Sequence, residues 1–247
     1  MIDSQIVILV CIIFFWAGFI KGVIGLGLPT ISLALLTIIT DLTSAMVFLL
    51  APSLLTNIYQ AVNGPQTLSS LRRVWPLLLF CALCVPIGAK ILLSINLSIM
   101  SAILGGVLTF YALVELFGLS AKISKGNEKV IGGIAGALTG VFTGMTGSCV
   151  VPGVIFLKVI DLNREAMIQS MGLLFSVATL SLSFALYHNL ILHNDNLFFS
   201  SIGVIPAIIG MFFGNLLNKR ISKVIFHYIF LLALIGIGLY LMLGALS

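Results

Sequence analysis

In FIKGVIGLGLPTISLALL, residues 19–36, Lys21 is the only charge between Asp3 and Asp41. It stands beside Gly22, Gly25 and Gly27 and just before Pro29 and Thr30. An ammonium at membrane depth costs roughly 2.5–3.5 kcal/mol even on insertion scales, so it needs a partner or a watery cavity. No carboxylate in the neighbouring apolar runs is an evident partner, since Glu115 lies close to the end of its own run. A mobile anion is the natural counterion. The other reading puts Lys21 at a turn between two short helices, with its ammonium reaching the cytoplasmic surface. Both stay open from the sequence.

A second stretch, GVFTGMTGSCVVP at 140–152, has the same character: Thr143, Gly144, Thr146, Gly147 and Ser148 precede Pro152. Glycines and prolines at such density break a helix and free backbone N–H and C=O groups. At membrane depth these survive only inside protein or facing a cavity. Pro29 suits the first turn of a new helix, where its missing N–H costs nothing. Ser148 is expected to cap a helix running into CVVPGVIFL, with Gly147 permitting close approach. Two helix N-termini would then turn positive dipole ends toward the membrane centre, where they favour anions. Asn57, near Ser53 and Thr56, and Gln169, near Ser170 and Ser176, could complete such a site. Helix–helix hydrogen bonding is the competing use of those side chains.

The elements that must hold these residues follow from composition. Of 247 residues 60% are hydrophobic and 8% charged, and the mean hydropathy is +1.26. That composition belongs to an integral membrane protein. Uncharged runs such as 42–71, 91–114, 166–194 and 224–247 reach the roughly 20 residues of a spanning helix. They are continuous rather than alternating, so helices are expected and not barrel strands. The first apolar run lacks a basic leader and a cleavage site, and reads as a span rather than a signal peptide. The net charge of +5 resides in short loops, where it sets topology rather than recruiting nucleic acid.

Cys81 and Cys84 form a CxxC inside an apolar run and read as packing residues. His188, His193 and His227 are scattered near span ends, apparently without a partnered carboxylate, so no enzyme and no cofactor is expected. The expected partners are a small-molecule anion and the lipid bilayer; a homo-oligomer is left open.

Internal repetition supplies the architecture. Gly18-x-x-x-Gly22 is echoed by Gly136-x-x-x-Gly140, Gly27 by Gly147, and Asp41-Leu42 by Asp161-Leu162, at separations of 118 to 120 residues. The predicted organisation is a first membrane repeat at 1–121, a cytoplasmic link at 122–129 and a second repeat at 130–247. If each half crosses four times, Arg72, Arg73, Lys122, Lys125 and Lys129 lie opposite Lys90, Lys158, Arg164, Lys219, Arg220 and Lys223. If each broken segment instead returns to its starting side, all basic residues except Lys90 and Lys21 share one side, ten against one. The positive-inside tendency selects the second arrangement over plain spans. The predicted fold is an all-α polytopic membrane protein of two inverted repeats, each with a broken or re-entrant first helix followed by three spanning helices.

On these residues the chain resembles the TauE/SafE-type sulfite exporters, the TSUP permeases. GFIKGVIGLGLPTISLALLT is similar to that family's first glycine-rich segment, and GALTGVFTGMTGSCVVPGVIFL to its second, with Thr146-Gly147-Ser148 where the family often has three glycines. The resemblance implies transport of small anions, notably sulfite, sulfonates and other organosulfur acids, across bacterial inner membranes. It also implies a substrate region at Gly22, Gly25, Gly27, Pro29, Gly144, Gly147 and Pro152. Export is the expected direction, because expelling one negative charge gains about 2.3 kcal/mol per 100 mV. The alternatives are an importer coupled to H+ or Na+ and an assembly subunit that transports nothing.

Overall fold

A computed structural model describes residues 4–118, 123–189, 194–218, 220 and 222–245. Asp3, Lys122, His193 and Lys219 lie outside the described residues, as does the side chain of Lys223. Among the described residues the chain forms ten helices and no strand. They are α1 (Ser4–Ile24), α2 (Leu28–Ile39), α3 (Leu42–Val62), α4 (Thr67–Ser94), α5 (Leu97–Leu116), α6 (Glu128–Thr146), α7 (Gly153–Val159), α8 (Arg164–His188), α9 (Asn194–Leu217) and α10 (Lys223–Gly244). Seven of these, α1, α3, α4, α5, α8, α9 and α10, are long and apolar enough to cross a membrane. Their outward faces carry bare apolar side chains, Trp16, Phe212 and Leu232 each being more than half exposed. Lipid covers such a surface in a multi-pass membrane protein.

Both expected breaks are present. Gly25 follows the last residue of α1 with φ 85°, and Gly147 follows the last residue of α6 with φ 76°. That left-handed conformation is open to glycine at no steric cost. Gly27, at φ 119°, occupies the N-cap of α2, and Pro29 falls in its first turn.

The second break differs from its expectation. Ser148 does not cap a helix: α7 begins only at Gly153, has Pro152 at its N-cap, lacks a side-chain cap and is seven residues long. The β-branched pair Val150-Val151 before Pro152 explains the delay, because a residue preceding proline is pushed out of the helical region. A helix of two turns has no dipole end worth invoking, so only α2 retains that role.

Asp41 caps α3 by accepting from the Ser44 amide at 2.9 Å. Its expected counterpart Asp161 caps nothing; Asn163 caps α8, accepting from the Ala166 amide at 2.8 Å. Asp41 and Asn163, Gly25 and Gly147, and the first residues of α3 and α8 are each 122 residues apart. The Gly18-x-x-x-Gly22 echo at 118 is one helical turn short of this spacing, and the Gly27 and Asp41-Leu42 echoes at 120 are two residues short.

Packing follows a paired scheme. α1 lies parallel to α9, with Gly18 against the backbone of Ala207 and Gly22 against Met211 and Asn215. α4 lies parallel to α6, with Gly140 against Cys81 and Gly144 against Val85 and Ala89. Removing side chains along one face brings two backbones together, the main source of helix attraction where lipid is as apolar as leucine. Cys81 and Cys84 pack on Gly140 and are free thiols, as their place in an apolar run predicts.

Two other pairs run antiparallel. α3 meets α8, with Ser53 Oγ 3.3 Å from Thr179 Oγ1 and Gln60 Nε2 donating to the Ile168 carbonyl at 2.9 Å. α5 meets α10 where Gly105 abuts Gly238 and Leu241. Basic residues gather at one rim. Arg73 forms a two-pronged pair with Glu128 at the start of α6 and donates to the Ile160 carbonyl after α7, so the α6–α7 segment begins and ends beside one side chain.

Candidate functional site

Lys21 ends up in the last turn of α1 with 3% of its surface exposed. Its Nζ donates to Thr56 Oγ1 at 3.2 Å and to Asn57 Oδ1. Both acceptors are fixed from behind. Thr56 spends its own proton on the Pro52 carbonyl at 2.7 Å, and Asn57 Nδ2 donates to Ser53 Oγ at 2.9 Å. The chain of contacts continues to Thr179 on α8, so α1, α3 and α8 share one buried polar line. An ammonium has three N–H donors and these oxygens are neutral, so the positive charge is solvated but not cancelled.

That charge faces a cavity of about 140 Å³ lined by Lys21, Gly22, Gly25, Gln60, Asn215 and Asn218. The space is roughly ten times the 10–15 Å³ that a single water needs. Arg164 and Asn63 also line it, at the ends of α8 and α3 that lie on the basic rim. Among the described residues no carboxylate lines it. Gln60 Nε2 donates to the Gly25 carbonyl at 2.9 Å, capturing a group freed by the first break. Gln60 Oε1 and Asn218 Oδ1 are buried with no hydrogen-bond partner among the described residues.

The predicted residues divide into four groups. Lys21, Gly22 and Gly25 line the cavity and Asn57 stands directly behind Lys21. Gly27, Pro29 and Thr30 are buried beyond the first break, where Thr30 Oγ1 has no partner. Among the described residues the amides of Leu28 and Thr30 also meet no acceptor, the ordinary condition of a first helical turn.

Thr143, Gly144, Thr146, Gly147 and Ser148 are buried in the second break, and Pro152 is half-buried. Thr143 and Thr146 donate back to the carbonyls of Thr139 and Phe142, each at 2.7 Å. Ser148 Oγ is left without a partner. Gly147 packs on Leu33 of α2 and Met46 of α3, so the second break lies against the helix that follows the first.

Gln169 has another occupation. Its Oε1 accepts from the Gln66 amide at 2.9 Å and its Nε2 donates to Thr67 Oγ1 at 2.8 Å, so it clasps the α3–α4 turn. The sequence reading passed over Gln60, Asn63, Arg164, Asn215 and Asn218. Spacing held a signal: Gln60 lies one turn beyond Asn57, and Asn215 and Asn218 are three apart in an apolar run. His227 also corrects its expectation, since Nε2 is 3.6 Å from Glu115 Oε2 and thus has a partnered carboxylate.

Seven apolar helices around two glycine-hinged breaks and a buried cation define a polytopic membrane protein of the transporter class. The family model for the sulfite exporters TauE/SafE matches residues 10–241, nearly the whole chain, and the protein belongs to that family of membrane transporters. Neither a curated protein nor a solved structure matches the chain.

Proposed function

We propose that the protein exports a small oxyanion, of the sulfite or sulfonate kind, from a cytoplasmic cavity beside its first glycine-rich break. The observation that carries this reading is a cavity lined by two cations, Lys21 and Arg164, and by no carboxylate. Amide side chains and the broken backbone add neutral donors around the same space. The family's named substrate is sulfite, and its chemistry suits these donors. With the basic rim in the cytoplasm, Lys21 is reached from inside the cell, and each net negative charge expelled gains about 2.3 kcal/mol per 100 mV.

Two inverted repeats, about 1–121 and 130–247, account for the packing. Exchanging the halves maps the parallel pair α1–α9 onto α6–α4, and it maps α3 onto α8 and α5 onto α10. The latter two pairs are antiparallel, as inversion requires. Such repeats exchange conformations to open a central site to either side.

Proteoliposomes loaded with unlabelled sulfite or an alkanesulfonate should exchange it for labelled anion saturably, and for doubly charged sulfite a potential positive outside should drive net efflux. Lys21→Ala removes a charged donor of about 1.5–3 kcal/mol, so apparent affinity should fall roughly ten- to a hundred-fold. Wild-type affinity in that variant would sink the role given to Lys21.

A further inference from the structure

A second buried charge cluster adjoins the anion cavity. Glu115, in the last turn of α5, has only 8% of its side chain exposed. Its carboxylate pairs with Lys158 of α7 and lies 3.6 Å from His227 Nε2 of α10. A cavity of about 370 Å³ is lined by Glu115, His227, Tyr228 and Arg164. Ile24 and Arg164 line this cavity and the Lys21 cavity alike, so the two are neighbours.

Both partners of Glu115 lead to a break. Lys158 belongs to α7, the short helix that follows the second break. The His227 ring stacks on Phe230, with centroids 6.1 Å apart, and a Cβ added at Gly27 in the first break would meet the Phe230 ring at 3.1 Å. One carboxylate therefore links the segments around both breaks.

Resting on the anion-carrier reading above, we infer that Glu115 is the proton-binding residue that couples proton movement to anion movement. An anion in the Lys21 cavity adds negative charge beside Arg164, a residue that also lines the cavity of Glu115. A nearby negative charge favours the protonated carboxyl. The proton comes from the cavity that Glu115 lines and leaves by the same group on the opposite stroke. Once protonated, Glu115 releases Lys158 and His227, and each break loses one tether.

Linkage makes the effect reciprocal: anion affinity rises as pH falls through the titration of Glu115. The groups facing Glu115 are Lys158, His227, Tyr228, Arg164 and, on its own helix, Tyr111. Of the other helices packed on α5, α2 has no titratable side chain, α3 has Tyr59, which lines the Lys21 cavity, and α6 has Glu128, held by Arg73, beside Lys129.

The test uses a labelled alkanesulfonate, whose charge does not titrate near neutrality, so that any proton carried belongs to the protein. In proteoliposomes clamped at zero potential, a gradient of about one pH unit should accumulate the sulfonate roughly tenfold and acidify a trapped pH dye. Glu115→Gln should abolish both while anion-for-anion exchange persists and loses its dependence on pH. Wild-type exchange without any response to the pH gradient overturns the coupling, and so does gradient-driven accumulation in Glu115→Gln. Loss of exchange along with accumulation in that variant gives Glu115 a structural role and also overturns it. Lys158→Gln removes one cation from the carboxylate, so the pH midpoint of flux should move upward; an unmoved midpoint is a further refutation. Absence of any exchange in the wild type refutes the anion-carrier reading itself.

Discussion

Lys21 is held inside the protein because Thr56 and Asn57 present oxygens that are turned toward it by their own backing bonds. The arrangement is lopsided in energy. Asn57→Leu leaves an ammonium with one fewer acceptor, a loss of about 1–3 kcal/mol. Lys21→Met removes the charge and its desolvation cost together, so it should be close to neutral in stability. Chemical denaturation in detergent micelles should rank Asn57→Leu well below Lys21→Met; the reverse order would show that the pair does not hold the cation. The lone charge of Lys21 was visible in the sequence. Gln60 and Arg164 were hidden because their roles arise from contacts between residues far apart in the chain, such as Gln60 with Ile168.

Helices α1 and α6 pack on α9 and α4 along rows of glycine. A side chain at Gly22 or Gly144 would strike backbone of the partner helix, whereas Gly106 on α5 faces open space. Gly22→Leu and Gly144→Leu should therefore each cost roughly 1–3 kcal/mol by overpacking, while Gly106→Leu should be neutral or mildly stabilising. Thermal unfolding followed by tryptophan fluorescence or circular dichroism separates these outcomes. The breaks themselves were legible, since Gly25 and Gly147 sit where glycine density predicts a left-handed turn. The start of α7 and the cap of α8 were not, because the restriction imposed by Pro152 competes with the capping preference of Ser148. The glycine echo was placed at 118 rather than the 122 that separates Gly25 from Gly147, because a regular row of glycines carries no mark of where it begins.

In the whole molecule, each half is completed by the other. α1 packs on α9 and α6 on α4, so the first helix of either half finds its partner only across the chain. The halves expressed as separate polypeptides should be degraded or aggregated singly, and should regain anion exchange only when made together. Protease resistance of either half alone would contradict this. The Asn57–Lys21 line adds a difference between the halves, for the position 122 residues after Lys21 is Thr143 and the one after Asn57 is Thr179. The two breaks are thus similar in backbone and unequal in charge.

The exchanged pairing of α1 with α9 also bears on how the chain is made. A ribosome delivers α1 long before α9 exists, and until then the glycine face of α1, with Lys21 at its end, has no protein to cover it. During that interval the membrane insertion machinery, or a chaperone of the bilayer, must shelter a bare helix groove and an unaccompanied ammonium. Slowing synthesis between α5 and α9 should therefore lower the yield of the protein more than slowing it after α9.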